Sequence, residues 1–302
     1  MSGTVTEPAA VSGRTSVVGG LIRTARPRQW VKNVLVLAAP FAANRIFERD
    51  VLVDAAIAFA AFCLVSSSVY LVNDAIDVAA DREHPTKRNR PIAAGIVPVQ
   101  LAYGLAVVLF LSSLAVGLLS GWPLVIVLTV YAAVQLGYCL GLKHQPVIDL
   151  CIVASGFLLR SIAGGVAAGI PLSQWFLLVT AFGSLFMVSG KRYAEIILFE
   201  QTGAKIRSSL SKYSSSYLRF VWATSAAIMI TTYSLWAFEI REVNNSVWAV
   251  ISIVPFVIAV LRYAVDVDGG HAGEPEDIAL RDRVLQVLGA SWIGCLALSV
   301  YL

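Results

Sequence analysis

A chain of 302 residues with 58% hydrophobic side chains, only 14% charged ones and a mean hydropathy of +0.75 is not a large soluble domain, whose surface needs far more charge. It belongs among multi-span membrane proteins. The formal net charge of +4 matters through its placement rather than its size, and no nucleic-acid partner is expected.

Residues 1–20, rich in Ser, Thr, Gly and Ala, precede any apolar run and carry no signal-peptide pattern, so they read as a disordered tail before one transmembrane domain over 21–302. Apolar stretches near 20 residues predict nine helices, at 30–44, 51–73, 98–119, 122–141, 146–168, 174–190, 216–238, 246–265 and 284–302. The first is short. Residues 203–213, with Lys205, Ile206, Arg207 and Leu210, read as an interfacial amphipathic turn.

Placing the amino terminus inside puts 19 of the 23 Lys and Arg in inner segments and three, Arg45, Arg49 and Arg241, in outer loops. Arg160 alone falls within a span. This imbalance predicts a cytoplasmic amino terminus, cytoplasmic long loops and an outer Leu302. Basic loops beside a bilayer also attract anionic lipid by default.

The second span ends in Asn73-Asp74-Ala75-Ile76-Asp77-Val78-Ala79-Ala80-Asp81, followed by a loop with Pro85, Lys87, Arg88, Arg90 and Pro91. On a helix, 73, 77 and 81 lie one above another with 74 one step round, and neighbouring carboxylates fall within ~5–6 Å. Two such charges repel by roughly 3 kcal/mol at an effective dielectric near 20. The arrangement needs hydration, protonation or a cation. Hard oxygen donors with open positions suit Mg²⁺ shared with a phosphate substrate, and a solvated helix end capped by acids is the plain alternative. Lys87, Arg88 and Arg90 are placed to reach a phosphate whose metal is held by Asp77 and Asp81.

Tyr70, three residues before Asn73, shares its face one turn deeper and would offer a hydroxyl to a sugar or phosphate, or anchor the helix at the interface. Gly190-Lys191-Arg192-Tyr193-Ala194-Glu195 opens the second long inner loop. Two bases and one acid favour a phosphate site there over a second metal site, with a positive-inside anchor as the alternative. Arg160 is costly inside a span and needs an anionic partner. Asp149 is too far along the same helix, about 16 Å at 1.5 Å per residue. A substrate phosphate or a carboxylate from another helix would serve. Lys32 and Asn33 would face the same inner mouth. The last inner loop holds acids from Asp266 to Asp282, enough to bind a cation or to pair with Arg262, Arg281 and Arg283.

Cys63, Cys139, Cys151 and Cys295 fall in apolar stretches without CxxC spacing and read as small buried hydrophobes. His84, His144 and His271 stand singly, so no zinc site is expected.

An inner-face NDxxDxxxD motif after the second helix, a second polar motif after the sixth and nine helices together resemble the UbiA-type superfamily of intramembrane prenyltransferases. Arg26-Pro27-Arg28-Gln29-Trp30-Val31-Lys32-Asn33, Asp81 to Arg88, Gly190 to Glu195 and Tyr263 to Gly270 look like its decaprenyl-phosphate phosphoribosyltransferase branch. The superfamily's second aspartate-rich motif is reduced here to Glu195.

The resemblance implies an all-α bundle around a cytoplasm-facing cavity in the plasma membrane. It implies Mg²⁺-dependent transfer of 5-phosphoribose from phosphoribosyl pyrophosphate to a polyprenyl phosphate, for cell-wall arabinan synthesis. Asn73, Asp77 and Asp81 would hold the metal on the donor's diphosphate, with Asp74 supporting. Lys87, Arg90 and Lys191 would bind phosphate oxygens, Arg160 or Lys32 would orient a substrate, and Tyr70, Arg192 and Tyr193 would complete the substrate contacts. Asp77, Asp81 and Lys191 are thus the expected catalytic set. A UbiA-type aromatic or quinone-pathway prenyltransferase is the second reading and a transporter the third, although the polar residues crowd one membrane face. No residue pattern fixes an oligomeric state; a homotrimer is the working expectation.

Overall fold

The computed structural model describes residues 16–202, 210–270, 278 and 281–301. Among these residues there is no strand. The chain is helical from Val17, where Ser16 accepts a hydrogen bond from the Gly19 amide at 3.1 Å and starts α1 (Val17–Ala25). Residues 17–20, expected in the tail, are therefore helical. The Arg26 backbone, at φ 54°, is left-handed and ends α1. Pro27 then opens a 3-10 segment, Pro27–Leu37, which runs into the short α2 (Ala38–Ala42). The first expected span is this composite rather than one α-helix.

Five α-helices follow in the first half: α3 (Arg49–Ile76), α4 (Val78–Glu83), α5 (Val99–Gly117), α6 (Trp122–Cys139) and α7 (Ile148–Ala167). In the second half are α8 (Gln174–Thr202), α9 (Ser215–Asn244), α10 (Trp248–Ile251), α11 (Ile253–Asp268) and α12 (Arg283–Tyr301). Among the described residues, six segments are long and apolar enough to cross a membrane: 49–76, 99–120, 122–139, 148–167, 215–242 and 248–268. The composite first segment, α8 and α12 account for the difference from the nine expected. Lys191, Arg192 and Glu195 dilute the apolar character of α8, and the apolar part of α12 is shorter than a span.

Without a hydrophobic driving force between helices in lipid, close packing and interhelical hydrogen bonds must hold the bundle. The interfaces are accordingly small. Ala58, Ala61, Ala102, Ala106 and Ala163 are all buried, and Ser68 on α3 donates to the Ala106 carbonyl on α5 at 2.7 Å. Gly164 marks the tightest approach: a Cβ there would stand 1.6 Å from the Val36 carbonyl oxygen. Only glycine lets α7 lie directly on the 3-10 segment. In the second half, Trp292 donates to Tyr233 at 2.6 Å and Tyr233 contacts Ser252 at 2.6 Å, tying α12 to α9 and the start of α11.

Three apolar clusters result. One joins Val36, Phe62, Leu128 and Tyr131; one joins Leu71, Ile92 and Val97; the third joins Leu150, Phe186, Leu218 and Tyr263 in the second half. Outward side chains such as Leu101, Val107, Val108 and Leu111 on α5 remain exposed and apolar, as a lipid-facing surface requires. Of the cysteines, Cys63 and Cys139 are buried and Cys295 half-buried, whereas Cys151 is exposed rather than internal. The expected turn at 203–213 is described only from Leu210 onward, where Leu210–Lys212 form a short 3-10 turn. Lys205, Arg207, His271, Glu274, Glu276 and Asp277 lie outside the described residues.

Candidate active site

The helix carrying the acid motif breaks where the motif begins to turn outward. α3 ends at Ile76, Asp77 adopts φ −82° and ψ 5°, and α4 resumes at Val78. The backbone bonds from the Asp77 amide to the Asn73 carbonyl (3.0 Å) and from the Asp81 amide to the Asp77 carbonyl (2.8 Å) survive the break. Positions 73, 77 and 81 therefore keep their helical stacking.

Their side chains do not face one another unpaired. Arg90 Nη1 spans two acids, at 3.0 Å from Asp74 Oδ1 and 2.7 Å from Asp81 Oδ2. Arg26 Nη2 donates to Asp74 Oδ1 at 2.6 Å, and Lys87 Nζ stands 3.9 Å from Asp81 Oδ1. Asp77 turns to Lys143, with Nζ 2.5 Å from Oδ1. The repulsion expected among bare carboxylates is relieved by four cations from three other segments. Asp74 and Asp81 are almost fully buried, each only 2% exposed, which an isolated carboxylate would not tolerate.

Asn73 donates to Asp74 at 3.3 Å and its Oδ1 accepts a weak bond from Cys139 at 3.5 Å. Tyr70 lies one turn deeper, under the Arg26 guanidinium at 4.8 Å. Arg26 and Lys143 are contacts that spacing alone missed. Their partners lie 48 and 66 residues away in sequence. The signal for Lys143 was that it is the one basic residue of its inner loop; for Arg26, its place in the Arg-Pro-Arg string.

Among the described residues, no three His, Cys, Asp or Glu side chains gather as a metal-binding group. The donor set of Asn73, Asp77 and Asp81 nonetheless has the chemistry of a Mg²⁺ site, with an amide oxygen and carboxylates on one helical face. Lys143, Arg90 and Lys87 balance those carboxylates here.

A second polar group lies at the same ends of α7, α8 and α9. Arg192, 6% exposed, places Nη2 3.6 Å from Asp149 Oδ2 on α7. Asp149 is held in turn by a hydrogen bond from the Tyr213 hydroxyl, which also accepts from the Val147 amide at 2.6 Å. Burial, then the bond to Asp149, pushes the Tyr213 hydroxyl well above the usual phenol range. Val147 carries φ 68°, a strained value for a β-branched residue, held by this contact. Tyr193 is buried, its hydroxyl accepting from Arg219 at 2.6 Å and lying 3.3 Å from Asp268, which pairs with Arg219 at 2.9 Å. Lys191 is half-buried on α8 and Lys32 half-buried on the 3-10 segment. Arg262 on α11 donates to Asp282, in the last inner loop, at 2.8 Å and holds that carboxyl below its ordinary range.

Arg160 sits deeper. It donates to Asn33 Oδ1 (2.7 Å), the Gly156 carbonyl (2.6 Å) and the Tyr131 hydroxyl (3.1 Å), with the Phe62 and Tyr131 rings 5.4 and 5.0 Å from its guanidinium carbon. Of the two anionic partners expected, the carboxylate is not found: among the described residues no acid pairs with Arg160, and its charge is met by neutral acceptors and π faces. Asn33, 0% exposed, donates onward to Cys63 at 3.2 Å.

One cavity adjoins the acid face and a second lies away from these polar groups. A polar one of about 300 Å³ lies beside Asp74 between α1 and the loop after α4. An apolar one of about 390 Å³ lies between α2, α8, α9 and α12, lined by Phe41, Trp175, Phe176, Trp236, Trp292 and Leu296.

Comparison with known proteins agrees with this architecture. Residues 34–279 match the UbiA prenyltransferase family. The chain is 58% identical over 298 residues to decaprenyl-phosphate phosphoribosyltransferase of Mycolicibacterium smegmatis, covering 95% of this chain and 94% of that protein. It is 58% identical over 300 residues to the Mycobacterium tuberculosis enzyme of the same name, covering 98% and 97%. The fold matches a UbiA homologue from Archaeoglobus fulgidus solved with DMAPP and Mg²⁺, at TM-score 0.70 and 16% identity over 93% of this chain and 98% of that one. A digeranylgeranylglyceryl phosphate synthase matches at TM-score 0.64 and 14% identity, over 95% and 99%. The chain belongs to the UbiA prenyltransferase family.

Proposed function

We propose that this protein transfers 5-phosphoribose from phosphoribosyl pyrophosphate to a polyprenyl phosphate, decaprenyl phosphate in the relatives' name, releasing pyrophosphate. The observation that carries the reading is 58% identity across nearly the whole length of enzymes named for that reaction. The acid and base groups support it. A soluble donor with one diphosphate and one separate phosphate needs several cations close to oxygen donors for a metal, and Arg26, Lys87, Arg90 and Lys143 stand around Asn73, Asp77 and Asp81.

Asn73, Asp77 and Asp81 would hold Mg²⁺, and when bound that ion neutralises charge on the departing pyrophosphate. Support for a divalent ion comes from the Archaeoglobus neighbours, solved with Mg²⁺ and with GPP or DMAPP. Positive charge builds on the ribose carbon as pyrophosphate leaves. Fixed cations on the leaving group should therefore lower the barrier most. Lys191 supplies such charge, Lys87 and Arg90 bind phosphate oxygens of the donor, and Arg192 and Tyr193 complete the substrate contacts. The lipid phosphate is already an anion, so no general base is required. Arg160, with no acid partner among the described residues, and Lys32 are assigned to orienting it, and the apolar cavity suits part of its chain. Asp74 serves to hold Arg26 and Arg90, and Tyr70 underlies Arg26.

In this reading the segment 27–42, α8 and α12 complete nine membrane crossings around a cavity that opens to the cytoplasm. The protein resides in the plasma membrane, a short amino-terminal tail precedes the single catalytic domain, which takes in α1, and the product supplies cell-wall arabinan synthesis. The distribution of Lys and Arg supports the orientation. A homotrimer is retained as the working assembly. Supplying purified protein with Mg²⁺, ribose-labelled phosphoribosyl pyrophosphate and decaprenyl phosphate tests the reading: label enters the lipid phase if it is right and stays in water if it is wrong.

A further inference from the structure

The polar cavity beside Asp74 is walled on one side by Arg23 and Arg26, from α1 and its cap, and on the other by Lys87 and Arg90. Arg26, Lys87 and Arg90 reach two buried carboxylates, Asp74 and Asp81. Four positive and two negative charges leave the group at +2. A phosphate monoester carries about −1.5 to −2 at neutral pH and presents three acceptor oxygens, so its charge and its need for several donors match the cavity. A volume of about 300 Å³ admits such a group with the pentose attached.

The cations arrive preorganised. Arg26 takes a left-handed backbone at φ 54°, and its guanidinium is fixed by Asp74 and the Tyr70 ring. Arg90 is clamped between Asp74 and Asp81. Arg23 differs: it lines the cavity one turn before Arg26, and its side chain has no hydrogen-bond or ion-pair partner among the described residues. Its charge is uncommitted. Gly20 seats α1 against the loop, where a Cβ would meet Val97 Cγ2 at 2.7 Å. The wall bearing Arg23 therefore stands at a fixed distance from the wall bearing Lys87.

The geometry points to a phosphate-monoester subsite formed by Arg23, Arg26, Lys87 and Arg90. Resting on the proposed reaction, it receives the 5-phosphate of the soluble donor while the Asn73, Asp77 and Asp81 face takes the diphosphate. Arg23 and Arg26 thereby select a phosphorylated pentose over a bare diphosphate ester. A phospholipid with a monoester headgroup presents the same chemistry from the bilayer, so the test separates the two sources.

Titrating the purified full-length protein with ribose 5-phosphate, without lipid acceptor, reads the subsite apart from turnover. Saturable binding that weakens at least tenfold in Arg23→Gln is expected, with pyrophosphate binding changed less than twofold in the same variant. Arg28→Gln, exposed and outside the cavity, should match the wild type for both. In turnover, Arg23→Gln should raise KM for phosphoribosyl pyrophosphate at least tenfold and leave KM for the lipid phosphate unchanged. Equal ribose 5-phosphate binding by wild type and Arg23→Gln overturns the subsite. So does an Arg23-dependent affinity for phosphatidic-acid vesicles with no effect on ribose 5-phosphate, which assigns the cavity to a headgroup. Arg23-dependent binding of ribose 5-phosphate in a protein that transfers no phosphoribose sinks the reaction and leaves the subsite standing.

Discussion

The Lys143 ammonium lies 2.5 Å from Asp77 Oδ1, joining the loop after α6 to the break between α3 and α4. Lys143 and a metal ion want the same oxygen. A partly exposed pair of this kind is worth about 1 kcal/mol, so Lys143→Ala should lower the half-saturating Mg²⁺ concentration by about fivefold. Titrating activity with Mg²⁺ in both proteins measures this. An unchanged midpoint would separate Asp77 from the metal.

Asp77→Ala and Asp81→Ala should each reduce turnover at least a hundredfold while the protein still inserts and purifies. Asp81→Ala has a second effect, because it leaves Arg90 with Asp74 alone. Breaking a buried pair is destabilising, so its thermal midpoint in detergent should fall further than that of Asp77→Ala, whose carboxylate is more exposed, at 23%. Near-normal turnover in both variants would remove the acid face from the chemistry.

Gly164→Ala should be among the most destabilising single-methyl additions available, since its Cβ would stand 1.6 Å from the Val36 carbonyl oxygen. Overpacking ordinarily costs about 1–3 kcal/mol, and here the obstacle is backbone that cannot rotate away. Gly289→Ala, with nothing within 4 Å, should be neutral or slightly stabilising through helix propensity. Thermal unfolding followed by size-exclusion chromatography distinguishes the two.

Arg160→Lys should not preserve activity. One ammonium cannot serve Asn33, Gly156 and Tyr131 in the directions the guanidinium does. A loss of at least tenfold in kcat/KM for the lipid phosphate is expected. Tyr131→Phe removes one hydrogen bond, worth about 1 kcal/mol, and should have a smaller effect. Equal activity of wild type and Arg160→Lys would confine Arg160 to packing.

The long apolar helices were legible because hydropathy alone specifies them: α6 was expected at 122–141 and runs Trp122–Cys139, and α3 was expected at 51–73 and runs Arg49–Ile76. α8 was placed at 174–190 but continues to Thr202. Lys191 and Arg192 end the apolar run there, while Tyr193, Ala194 and Ile196 keep a buried face that sustains the helix. The 3-10 segment was hidden because its conformation depends on docking against Gly164, a contact about 130 residues away. The acid face was readable from helical spacing, whereas its pairing with Arg26 and Lys143 was not, since spacing reports only neighbours within a turn or two.

Purified protein in decaprenyl-phosphate vesicles with Mg²⁺ should convert ribose-labelled phosphoribosyl pyrophosphate into a labelled lipid, releasing one pyrophosphate for each lipid formed. Label that stays in water, with a polyprenyl diphosphate instead consumed to alkylate an aromatic acceptor, would contradict that transfer.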